Sequence, residues 1–173
     1  MKRSNLILVL IVVAVIAVMS SLNNPHYLQP QTRSRVSRVQ NDLRSLALAI
    51  ETYHEDRQCY PAWRLTDTSP SMPVMWPLPA SVGSLTTPVG YLGRLPDDPF
   101  TFGNKPFHGY GYWSGDGQTG WIVYSPGPDL TYDIVPAEDY VPGSKTPSPA
   151  LVGKTYDPTN GLKSRGDIYK YKN

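Results

Sequence analysis

A single cysteine, Cys59, stands in a chain of 173 residues, and that excludes an internal disulfide framework. It also lies far from the apolar N-terminal run, so it is no lipid-modified cysteine at the end of that run. The thiol reads as a small buried hydrophobe, with an intermolecular disulfide or a reactive thiol as the alternative. Charge is scarce too. Asp, Glu, Lys and Arg make up 17% of the chain and the formal net charge is +2. Without a strong field of one sign, no nucleic-acid partner is expected. Catalytic signatures are missing as well: there is no G-x-S-x-G, H-E-x-x-H, phosphate-binding loop or C-x-x-C. His26, His54 and His108 are scattered, and the His54–Cys59 pair has no further ligands beside it for zinc. Asp97-Asp98 sits between Pro96 and Pro99 and reads as a turn rather than an acid pair. An enzyme is not expected.

Proline, glycine and tyrosine are plentiful, at 18, 14 and 12 residues. Such a composition favours turns and short strands over a helical bundle, and tyrosine suits half-buried sheet surfaces. The N-terminus departs from this. After Lys2 and Arg3, "LILVLIVVAVIAVM" runs from Leu6 to Met19 without a polar residue, and the segment extends to Leu22. As a helix it would span about 26 Å, close to a bilayer core. Residues 1–24 therefore read as a transmembrane anchor, with a cleaved signal segment as the alternative. Lys2 and Arg3 put the N-terminus in the cytoplasm and the rest outside.

Pro25 and Pro30 follow, and a kink or short break is expected there. Then Val36, Val39, Leu43, Leu46, Ile50 and Tyr53 recur at steps of three and four. This predicts an amphipathic helix from about Arg33 to Arg57, within a stalk of residues 25–58. Arg33, Arg35, Arg38 and Arg44 load its first half, and Glu51, Glu55 and Asp56 its second. The arginines read as a solvated or lipid-proximal face, since no aromatics interleave with them. The apolar stripe needs a partner surface, because an isolated helix of this length is marginal in water.

Residues 59–173 read as a β-rich head. Eight prolines between Pro61 and Pro99 exclude a regular helix or central strand and predict a long ordered loop pinned by Met75 and Trp76. "YGYWS" (110–114) and "WIVYS" (121–125) flank "GDGQTG" and predict a hairpin. "DIYKYK" supplies a third strand, and "VPGSKTPSPALVGK" (141–154) between them reads as loop. The fold class is α+β: a transmembrane helix continuing into a long amphipathic helix, packed on a small antiparallel sheet with long Pro-rich loops. Near the C-terminus, Asp157-Pro158 starts a turn and Asn160-Gly161 reverses the chain, so that Asp167 leads into the last strand. In "YSPGPDLTYDI", Asp129 and Asp133, with the carbonyls of Ser125 and Leu130, form a candidate calcium loop. A plain turn capped by Asp129 is the competing reading.

Five blocks occur in order. They are "ETYHEDRQCYP", with Tyr53, Asp56, Tyr60 and Pro61; "GYLGRLPDDPF", with Tyr91, Leu92, Leu95, Pro96, Asp98, Pro99 and Phe100; "GYGYWS"; "YSPGPD", with Ser125, Gly127 and Asp129; and "YDPTNGLKSRGDIY", with Asp157 to Gly161, Ser164, Gly166, Asp167 and Ile168. With the apolar N-terminus, this resembles the pseudopilins of type II secretion, most closely the G-type subunits, over most of residues 6–60 and 86–173. The resemblance implies a pilin-like fold and a single-pass protein of the inner membrane with its head outside the cytoplasm. It implies other pilin-like subunits or secretion machinery as partners, and calcium after the Ser-x-Gly-x-Asp block. Two family residues are absent: Arg3 and Leu8 stand where the peptidase-site glycine and the glutamate of the apolar run would fall. The alternative function is an anchored or secreted binding module. Its aromatic loops, with Trp63, Trp76, Trp113 and Trp121, would hold a glycan or peptide.

Overall fold

The computed structural model describes residues 10–15, 28–61, 85–101, 109–159 and 164–172. Most of the apolar run lies outside them; residues 10–15 are helical, with every side chain exposed. Among the described residues no helix is long and apolar enough to cross a membrane. The Pro-rich stretch with Trp63, Met75 and Trp76 also lies outside the described residues, as do Asn160 and Gly161.

The dominant element is α1, Leu28–Arg57. It starts five residues before the predicted Arg33 and carries Pro30 in its first turn, where a missing N–H breaks no intrahelical bond. Its first turns stand clear of the core: residues 33–35 are exposed, and burial begins at Val36. From there the stripe is covered, with Val39, Leu46 and Ile50 at 0% exposure and Leu43 at 2%. Each such side chain contributes about 1.5–3 kcal/mol through removal from water. The helix stops at Gln58, whose left-handed φ of 55° ends the helical run while its N–H still donates to the His54 carbonyl.

The sheet has three antiparallel strands in the order β1 (Gly111–Trp113), β2 (Ile122–Ser125) and β3 (Ile168–Tyr171). Gly111 pairs with Tyr124, and Tyr124 with Tyr169. Side chains alternate between the two faces of a sheet. Tyr112, Trp121, Val123 and Ile168 share the core of the α1 stripe. Ile122 and Tyr124 point the other way, into a second core with Ile134, Tyr140 and Leu151. Gly111 is needed for this, since a Cβ there would lie 2.5 Å from the Tyr124 ring.

The layer over the second face holds the main departure from the sequence reading. The segment 141–154 is not all loop: α3 covers Pro149–Gly153, and a one-turn α2 covers Pro136–Asp139 before it. Ser148 caps α3 by accepting from the Leu151 N–H, and Pro149 occupies the first helical position. The Ser-Pro pair carried that signal, but proline density masked it. Leu151 is the consequence, a fully buried plug under the sheet. The Asp139 carboxylate accepts from the Val135 N–H and from Lys154 Nζ, both at 2.6 Å, which ties the two short helices together.

Candidate functional site

The sequence candidates Asp129 and Asp133 lie between the end of β2 and α2. A 3-10 turn, Gly127–Asp129, begins at Gly127 with φ of 69°, where a Cβ would meet the Gly166 carbonyl at 2.9 Å. Only glycine suits both demands. Leu130, at φ of 62°, then reverses the chain. Asp129 Oδ1 accepts from the Thr131 N–H at 3.2 Å, so this carboxylate caps its own turn. Asp133 reaches further. Its Oδ2 accepts from the Gly166 N–H at 3.1 Å, across the entrance to β3.

Asp167 answers from the opposite side. It is fully buried, and its carboxylate accepts from the Ile134 N–H at 2.9 Å and from the Asp133 N–H at 3.2 Å. The chains at 133–134 and 166–167 thus hold each other through two carboxylates and three backbone amides. Burial pushes the Asp167 carboxyl up to about 7. The amides of Ile134 and Asp133 pull it back, while the charges of Asp133 and Asp129 push the same way as burial. Burial likewise raises Asp129, with Asp133 adding to it and Arg165 opposing. Both oxygens of Asp167 are taken by amides. Asp129 and Asp133 each keep one carboxylate oxygen with no amide donor among the described residues; calcium takes six to eight oxygens, carbonyls and waters included. Among the described residues no group of three or more His, Cys, Asp or Glu side chains is placed to hold a metal. The arrangement, as placed, acts on backbone amides.

A second buried acid lies near Ser125, at the end of β2. Asp98 is fully buried, and its Oδ1 accepts from the Phe100 N–H at 2.8 Å. Its Oδ2 has no hydrogen-bond partner among the described residues; the Ser125 hydroxyl is near enough to favour its charge but is not in bonding geometry. Burial raises this carboxyl to about 6, against the pull of Ser125 and Phe100. The Asp97-Asp98 pair divides its work: Asp98 turns the chain inside, and Asp97 pairs with Arg94 at 2.6 Å outside.

Two helix acids clamp α1 to the sheet. Asp42 accepts from the Tyr110 hydroxyl at 2.8 Å. Glu51 accepts from Trp121 Nε1 at 2.7 Å and from Lys172 Nζ at 2.6 Å. Trp121 is 2% exposed, and Trp113 is half-buried against Tyr140 with ring centroids 5.9 Å apart. Asp157 turns its own chain, accepting from the Thr159 N–H at 2.8 Å. Sequence reasoning read Asp98 as a turn residue but not its burial, and it missed the roles of Asp42 and Glu51. Nothing local marks these two, because each is defined by a partner distant along the chain. No protein-family model, curated protein or solved structure matches the chain.

Proposed function

We propose that the protein is a membrane-anchored, pilin-like structural subunit, a pseudopilin of a bacterial type II secretion or type IV pilus-like system. It works by packing against other pilin-like subunits or the secretion machinery. The observation that carries this reading is the division of labour along α1. Its stripe from Val36 to Tyr53 is packed on a three-stranded sheet, while residues 33–35, which precede it in the chain, are exposed. A helix built this way joins a head to an anchor. The ordered motif blocks support the same reading, since Asp98, Ser125, Asp167 and Ile168 are buried at the joints of the head. Asp42 and Glu51 serve as clamps and Asp98, Asp129 and Asp157 as turn caps, which suits a scaffold. In this reading the anchor lies in the inner membrane with the head outside the cytoplasm.

The alternative, a binding module with aromatic loops, draws less support. Trp121 is committed to Glu51 and the main core, and Trp113 packs on Tyr140. The test is to express the full chain with a photo-crosslinking residue at Ser37 or Ser45, both exposed on α1. Membrane retention after alkaline carbonate, with cross-links to like subunits or secretion proteins, is expected. Release by carbonate without cross-links would remove the reading.

A further inference from the structure

The outer edge of β3 is open over part of its length. The Lys172 N–H donates to the Trp121 carbonyl at 2.9 Å, which makes 121–172 a hydrogen-bonded pair. Antiparallel pairs alternate in type, so Val123–Lys170 and Ser125–Ile168 face each other in the same way. The backbone groups of Asp167, Tyr169 and Tyr171 must then point away from β2. Asp167 is covered, because its N–H donates to the Lys154 carbonyl and its carbonyl accepts from the Tyr156 N–H. The covering chain then leaves. Among the described residues nothing bonds to the N–H or carbonyl of Tyr169 or Tyr171.

From Asp167 to Lys170 this edge forms one wall of a groove of about 460 Å³ whose other wall is α1, and Val36, Leu43 and Ile168 give it an apolar floor. Two cations rim it. Among the described residues Arg44 reaches only Asn41 Oδ1, at 3.4 Å, and Lys170 has no ion pair. The one acid in the wall, Asp167, has both oxygens turned onto backbone amides. We propose that this groove is a strand-addition site for an extended acidic peptide segment of a partner protein. The peptide backbone pairs with Tyr169 and Tyr171, alternate apolar side chains lie on Val36 and Leu43, and its carboxylates meet Arg44 and Lys170. Main-chain pairing supplies affinity in this mode and alternating side chains supply selectivity. The inference is independent of the pilin-like reading, since it needs only the groove between α1 and β3.

The experiment uses the full chain in detergent micelles and a fluorescent peptide alternating glutamate and valine, read by anisotropy. Saturable binding is expected, with slowed backbone amide exchange confined to residues 168–172. A lysine–valine peptide, and the glutamate–valine peptide N-methylated on one edge, are expected to lose binding by about tenfold or more. Arg44→Glu with Lys170→Glu, both at exposed positions, is expected to do the same and to admit the lysine–valine peptide. Failure of the glutamate–valine peptide to bind overturns the proposal. So does equal binding of its N-methylated form, no effect of the double charge reversal, or protection elsewhere than 168–172.

Discussion

Replacing Asp167 by asparagine separates two opposing effects at one buried carboxylate. The side chain is fully buried, accepts from two backbone amides, and has its carboxyl pushed from 3.8 to about 7 by burial. A folded-state value above the unfolded one means that the native state holds the proton more tightly. The native state is then favoured at low pH, and this contribution is lost as pH rises from about 4 to about 7. The interval of about three pH units corresponds to about 4 kcal/mol across the window. Asp98, raised to about 6, adds a smaller decline of the same sign. Asparagine keeps an acceptor oxygen for the amides but cannot ionise. The measurement is urea denaturation of the full chain in micelles, followed by tryptophan fluorescence at several pH values from 4.5 to 8. Wild type should lose stability with rising pH, and Asp167→Asn should follow a flatter line, with the gap growing toward pH 7. Asp167→Ala should be less stable than Asp167→Asn at every pH, because two buried N–H groups lose their acceptor at about 1–3 kcal/mol each. Parallel pH curves for wild type and Asp167→Asn would refute the reasoning. They would mean that the amides of Asp133 and Ile134 outweigh burial.

Leu43→Asp places a carboxylate at a position 2% exposed on the α1 stripe, and a loss of about 3 kcal/mol or more is expected in the same denaturation assay. An unchanged midpoint would show that the stripe does not hold the head. Glu51→Ala removes the acceptor of both Trp121 Nε1 and Lys172 Nζ, and a loss of about 1–3 kcal/mol with altered tryptophan emission is expected. Wild-type stability and emission would show that the clamp is idle. Asp129→Ala should cost about 1 kcal/mol through the Thr131 amide, and melting temperature should be the same in calcium and in chelator. A calcium-dependent rise on the order of 5 °C, abolished by Asp129→Ala, would restore the ion to this loop.

Much of the local structure was legible because local periods report local geometry. The three-four spacing from Val36 to Tyr53 marks one face of a helix, and those residues are the buried ones. The aromatic and β-branched runs around Gly115-Asp116-Gly117 mark a hairpin, and β1 and β2 pair there. Asp116 shows why the turn is so readable: it accepts from the amides of Gln118 and Thr119 within its own loop, which holds its carboxyl down at about 2. The short helix at Pro149 was missed, although Ser148 and Pro149 spell a helix start, because proline clusters more often mark loops.

By itself, the sequence determined the long helix, the hairpin and the last strand, since those depend on residues within a few positions of one another. It also shows an apolar N-terminal run from Leu6 to Met19. Only the tertiary structure decided what the acids do. Asp42 and Asp98 meet or approach partners far along the chain, Glu51 spans 121 positions to Lys172, and Asp133 and Asp167 exchange amides across 33 or 34. A carboxylate looks the same in a sequence whether it will cap a turn, clamp a sheet or face water. Its role is set by which amides and cations the fold brings within about 3 Å, and by how much water is left around it.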